Sequence, residues 1–84
     1  MILKIFWQKN CPNCPLAKEL GKKLEKEIKV ELHNVETVDG LAEAAYFNVL
    51  STPTLVLVDD GNREVASWRG KVPKEEEIRK FLKK

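Results

Sequence analysis

Two cysteines three residues apart, Cys11-Pro12-Asn13-Cys14, stand between an apolar segment and an amphipathic one. Cysteines with this spacing at a helix start lie on one helical face. Their Cα atoms then fall within the roughly 4.4–6.8 Å that a disulfide requires. A strand before the pair and a helix after it hold both sulfurs at one end of a sheet. The pair can therefore open and close without rebuilding the fold. The chain has only these two cysteines, so no dense disulfide framework can replace a hydrophobic core. Hydrophobic residues make up 43% of the 84 residues and charged residues 33%, the composition of a folded soluble chain. At roughly 100–200 residues per domain, the length predicts one domain over 1–84.

The flanking segments alternate between two periods. Residues 2–7 are apolar, interrupted only by Lys4, and read as a buried strand. Leu16, Ala17, Leu20, Leu24 and Ile28 recur at helical spacing, with Lys and Glu opposite. They predict a helix over 12–27. Residues 29–35 alternate as a half-buried strand. Thr37 to Asp39 opens a second helix carrying Leu41, Ala42, Ala44, Ala45 and Tyr46. Asn48 follows it, a residue that tolerates the left-handed conformation of a helix end. Leu55 to Val58 is a short buried strand. Asp59-Asp60-Gly61-Asn62 is a hairpin turn, and 63–69 returns as a strand ending at Gly70. A last helix begins near Pro73, with Glu75, Glu76 and Glu77 at its start and Lys80, Lys83 and Lys84 at its end. Both sets complement the helix dipole. The order βαβαββα predicts an α/β fold. Its mixed four-stranded sheet is flanked by helices, with a right-handed parallel crossover first and an antiparallel hairpin last.

Several function classes are excluded or disfavoured. No apolar run approaches the roughly 18 residues of a membrane span. No charged region leads into a long apolar stretch, so no secretory signal is expected. The net charge of +2 is too even for a dedicated nucleic-acid binder.

The helix start distinguishes the two sulfurs. Placed at the N-cap, Cys11 meets the free N–H groups of the first turn. Pro12 and Pro15 have none, which leaves Asn13 and Cys14 as donors. Those donors and the positive helix end favour a Cys11 thiolate. Cys14, one turn inside, keeps a higher pKa. Cys11 is then the nucleophile and Cys14 the resolving thiol. Three other readings compete. A zinc site needs two more ligands, and His33 lies on a strand far from the pair in sequence. An iron–sulfur cluster could be shared between two chains. Buried cysteines are also often inert. The strand–loop–helix context favours the redox pair. The second feature is Ser51-Thr52-Pro53-Thr54-Leu55. A proline just before a buried strand admits either a cis peptide bond or an ordinary trans one.

Taken together, Phe6-Trp7, Cys11-Pro12-Asn13-Cys14, Asn34-Val35-Glu36, the run Tyr46 to Thr54, Gly61 and Gly70 resemble the thioredoxin superfamily. The resemblance covers essentially the whole chain. Within the superfamily it is similar to the short thioredoxin/glutaredoxin-like proteins of archaea and some bacteria. It implies a thioredoxin-like fold with Pro53 cis and facing the cysteines. It also implies that the Thr52 backbone pairs with an extended substrate segment, while Pro12 and Asn13 shape the contact. The chain departs from the pattern in two places. Where thioredoxins carry a buried acid beneath the cysteines, this chain has Ile5. Of the features by which glutaredoxins bind glutathione, Lys9 matches the basic residue before the motif. The later stretch is only Gly70-Lys71-Val72-Pro73.

The expectation is a cytoplasmic, monomeric thiol–disulfide oxidoreductase that reduces protein disulfides through Cys11 and Cys14. It needs no bound cofactor or metal. An external donor, a flavoprotein of the thioredoxin-reductase type, returns its electrons. The alternatives are a glutathione-dependent monothiol reductase and a metal- or iron–sulfur-binding module on the same fold. Trp7 is expected to pack near the active-site loop, Tyr46 to pack its helix, and His33 to have no chemical role.

Overall fold

A computed structural model describes residues 1–82. Its elements are β1 (Ile2–Trp7), α1 (Cys14–Leu24), β2 (Lys29–Asn34), α2 (Val38–Tyr46), β3 (Thr54–Val58), β4 (Glu64–Arg69) and α3 (Glu75–Leu82). The predicted order is the observed one. Lys83 and Lys84, expected to close α3, lie outside the described residues.

The sheet order is β2-β1-β3-β4. β1 runs parallel to β2 and antiparallel to β3, which pairs antiparallel with β4. The strands at the centre, β1 and β3, are the most apolar in sequence. Every residue of β3 is buried. Side chains of β1 alternate between two layers. Leu3 and Ile5 pack with Ala17, Leu20 and Leu24 of α1 and Ile78 of α3. Phe6 packs with Ala44 and Phe47 at α2. Gly21 allows α1 to sit close on β1, because a Cβ there would come within 2.6 Å of Ile5 Cδ1.

Several local expectations need correction. α1 begins at Cys14, not at residue 12, and its N-cap is Asn13 rather than Cys11. The first helical bond runs from the Ala17 N–H to the Asn13 carbonyl, and Cys11 to Cys14 form a tighter turn ahead of it. α1 ends at Leu24, where the N–H groups of Glu27 and Ile28 both close on the Leu24 carbonyl. Leu16 stands outside the apolar stripe at 55% exposure. The stripe is instead Cys14, Ala17, Leu20, Gly21 and Leu24. Tyr46 does not pack its helix inward. It is 70% exposed, touching Phe47 edge-on. α3 starts two residues after Pro73.

Lys4, the polar interruption in the first strand, is buried. Its ammonium donates to Glu31 Oε1 at 3.0 Å and Glu43 Oε1 at 2.8 Å. His33 Nε2 joins them, 3.0 Å from the same Glu31 oxygen, and its ring stacks on Phe6. A buried charge is tolerable only when partners replace the lost water. Burial opposes the charge on Lys4, but the bonds from Glu43 and Glu31 outweigh it and hold Lys4 above its ordinary pKa. Burial likewise opposes ionisation of Glu31. Hydrogen bonds from Lys4 and His33 outweigh it and hold that carboxyl below the usual range.

Candidate active site

The site forms where β1 ends. Its last pair with β3 is Phe6–Thr54, and its last with β2 is Trp7–Asn34. Because β1 and β3 are antiparallel, the chain leaving β1 and the chain arriving at β3 emerge from the same sheet end. Residues 8–13 and the Thr52-Pro53 pair are thus neighbours, although about forty residues separate them in sequence. Gln8 and Thr52 line one groove with Val35, Leu41 and Leu50.

Cys11 and Cys14 are joined as a disulfide with a Cα separation of 5.3 Å. The two halves differ in access. Cys11 is partly exposed, whereas Cys14 is 2% exposed under the first turn of α1. The Cys14 N–H donates to the Cys11 carbonyl oxygen at 3.3 Å. It is thereby committed to backbone and is not one of the donors expected at the Cys11 sulfur. Pro12 and Asn13 are exposed on the turn between the cysteines.

The approach to the motif is anchored from β2. Asn10 takes a left-handed backbone conformation, φ 60°, which asparagine accepts more readily than most residues. The Lys9 N–H donates to Glu36 Oε1 at 3.0 Å, and the Glu36 N–H donates to Asn34 Oδ1 at 2.9 Å. Glu36 stood in the sequence pattern without a role. The Asn-x-Glu spacing, which suits a side-chain-closed turn, was the only local signal for it. Lys9 itself is exposed. Trp7 lies beside α1, with the Lys18 ammonium 3.2 Å from its ring centroid, a cation–π contact.

Across the site, the Thr52–Pro53 peptide bond is cis, and Pro53 is buried. Ile5, at the position of the buried acid, is fully buried in the layer beneath α1. Lys4, the buried charge among the described residues, serves the opposite layer with Glu43 of α2. Among the described residues, no group of three or more His, Cys, Asp or Glu side chains is placed to hold a metal ion. No helix among them is long and apolar enough to cross a membrane.

A redox-capable cysteine pair at the start of a helix, on a four-stranded α/β sheet with a cis-proline at the same sheet end, defines a thiol–disulfide oxidoreductase of the thioredoxin fold. The chain belongs to the thioredoxin domain family, whose pattern matches residues 1–83. It is 38% identical over 61 residues to the protein of Archaeoglobus fulgidus named "Probable Thioredoxin", covering 70% of this chain and 67% of that one. It is 36% identical over 77 residues to the thioredoxin of Haemophilus influenzae, covering 87% and 69%. The fold also superposes on thioredoxin 1 from Thermosipho africanus TCF52B with a TM-score of 0.79 at 19% identity. That match covers 98% of this chain and 94% of the other.

Proposed function

We propose that the protein reduces disulfides in other proteins, with Cys11 as nucleophile and Cys14 as resolving thiol. The observation that carries this reading is the unequal burial of a bonded pair: Cys11 is reachable and Cys14 is not. The Cys11 thiolate attacks one sulfur of the substrate disulfide. A Cys11–substrate disulfide forms, and the other substrate sulfur leaves as a thiolate. The Cys14 thiolate then attacks the Cys11 sulfur, and the second substrate sulfur leaves. Two electrons have passed to the substrate, which takes up the two protons of the dithiol, and Cys11–Cys14 is oxidised.

Thr52, beyond the last β1–β3 pair, offers unpaired backbone to an extended substrate segment, the geometry of strand addition. Pro53, Pro12 and Asn13 border the contact, with Lys9 at its rim. A flavoprotein reductase is the proposed electron donor, the cytoplasm the proposed compartment and a monomer the proposed state.

The test is alkylation of the reduced protein against pH, with the modified cysteine identified by mass spectrometry. The expected result is selective reaction at Cys11 with a pKa below the free-thiol value of about 8.5. Equal reaction of both cysteines near that value overturns the assignment. Activity that requires glutathione and survives Cys14→Ser replaces it with the monothiol reading.

A further inference from the structure

One fully buried hydroxyl, that of Thr54, joins two loops that the sheet does not join. It donates to the Ser51 carbonyl at 2.8 Å and accepts from the Gly70 N–H at 3.3 Å. Thr54 opens β3, while Ser51 and Gly70 lie outside the strands. Gly70 has φ +73°, and a Cβ there would stand 3.3 Å from Ser51 Oγ. Glycine is the residue that adopts this conformation without steric cost.

The preceding residue fastens the other end of the same loop. Arg69 donates through Nη1 to the Asn48 carbonyl at 3.0 Å and through Nη2 to the Phe47 carbonyl at 3.2 Å. Those carbonyls terminate α2, where unpaired oxygens seek donors. Two consecutive residues at the end of β4 therefore hold both ends of the segment 47–53. Between the fastened ends stand Leu50, 89% exposed, and Thr52. The N–H groups of Phe47, Asn48 and Val49 close back on the Glu43, Ala45 and Ala44 carbonyls of α2. Beyond Val49 the segment has no ladder of its own, and the Thr54 bond to Ser51 holds its backbone there.

We propose that Thr54, with Arg69, is a positioning residue that holds the Leu50–Pro53 segment in the shape that receives a substrate polypeptide. This rests on the reading of protein disulfides as substrates. Thr54 acts on docking and leaves the exchange chemistry at Cys11 alone. A small disulfide, which reaches Cys11 without a polypeptide to dock, is insensitive to it. The valine side chain keeps nearly the shape of threonine but neither accepts the Gly70 N–H nor donates to Ser51.

The experiment compares Thr54→Val, Thr54→Ser and the parent on insulin with dithiothreitol as reductant, and on a small aromatic disulfide in single turnover with the protein reduced beforehand and freed of dithiothreitol, which would otherwise attack that disulfide directly. For Thr54→Val, KM for insulin should rise roughly three- to tenfold, the span of one lost hydrogen bond, with kcat and the small-disulfide rate within about twofold of the parent. Thr54→Ser should restore KM. Arg69→Met, which removes the two side-chain bonds from the other end of the segment and leaves its backbone bonds to α2, should move KM the same way, and it carries the test should Thr54→Val not fold. If the parent reduces both substrates and neither Thr54→Val nor Arg69→Met separates them, the positioning role falls while the function stands. If the parent reduces the small disulfide but not insulin, the reading of protein substrates falls and takes this role with it.

Discussion

The Lys4 ammonium lies 2.8 Å from Glu43 Oε1, joining the centre of the sheet to α2 across thirty-nine residues of chain. The same ammonium holds Glu31, so two carboxylates share one buried cation. Lys4→Met would leave both facing each other without it. Breaking a fully buried pair costs about 3–5 kcal/mol. Here the Glu31 and Glu43 side chains keep 27% and 35% exposure, so solvent screening lowers the expected loss to roughly 1–3 kcal/mol. Urea denaturation at neutral pH measures it.

The same cluster sets a pH window. Glu31 is held below its ordinary pKa of 4.5 in the folded state. Its contribution is therefore complete above that value and is lost as pH falls through the lowered folded value. Lys4 is held above its ordinary 10.5. Its contribution is complete below that value and is lost as pH rises through the raised folded one. Melting temperatures across pH should fall at both ends for the parent. For Lys4→Met the penalty should shrink towards low pH, where protonated glutamates no longer repel. A penalty that stays constant with pH would mean that lost packing, not charge, causes it.

The unequal burial of Cys11 and Cys14 predicts unequal phenotypes. Cys11→Ser should lose disulfide-reductase turnover. Cys14→Ser should still attack a substrate disulfide but accumulate the mixed disulfide, visible as an adduct on non-reducing gels. If Cys14→Ser turned over protein substrates at the parent rate without glutathione, Cys14 would not be the resolving thiol.

Ile5 leaves the layer beneath α1 without an ionisable group at the position of the family's buried acid. Resolution should therefore rise with pH through the range where the Cys14 thiol ionises. Ile5→Asp should flatten that dependence and speed resolution at neutral pH. The carboxyl would be buried among Leu3, Leu20 and Leu55, with a stability cost of about 2–4 kcal/mol. Stopped-flow decay of the transient mixed disulfide across pH reads resolution, and urea denaturation reads the stability cost.

Glu36 holds the backbone ahead of Cys11 through the Lys9 N–H. Glu36→Ala should loosen residues 8–10, raising exchange at the Lys9 amide. The stability loss should stay near 1 kcal/mol or about that, since the bond is exposed. Glu36→Gln keeps an acceptor oxygen and should restore protection. Hydrogen exchange followed by NMR reads both variants.

The elements and their order were legible because each is a local pattern. The period of β1, the stripe of α1, the Asn48 helix end and the hairpin turn are all written within a few residues. Asn48 and Asn62 take the positive φ that such ends and turns need. The boundary of α1 was less legible. Proline at two positions and a turn between the cysteines shift the first helical bond to Asn13, so cap identity depended on a backbone path that spacing alone does not determine. Leu16 and Tyr46 were misplaced for a related reason. Helical periodicity identifies a stripe, but which edge of it reaches the sheet is decided by how the helix docks.

The cysteine pair, its place between strand and helix, and the family pattern were settled by sequence alone, because residues three apart at a helix start meet whatever the rest of the chain does. Folding alone decided the partners of Lys4, the anchor of Lys9 on Glu36 and the bridge from Thr54 to Ser51 and Gly70. Lys9 and Glu36 are separated by 27 positions, and Thr54 and Gly70 by 16. No periodicity pairs such residues. They meet because the sheet places the ends of β1, β2, β3 and β4 side by side, and burial there leaves each polar group only the partners within reach.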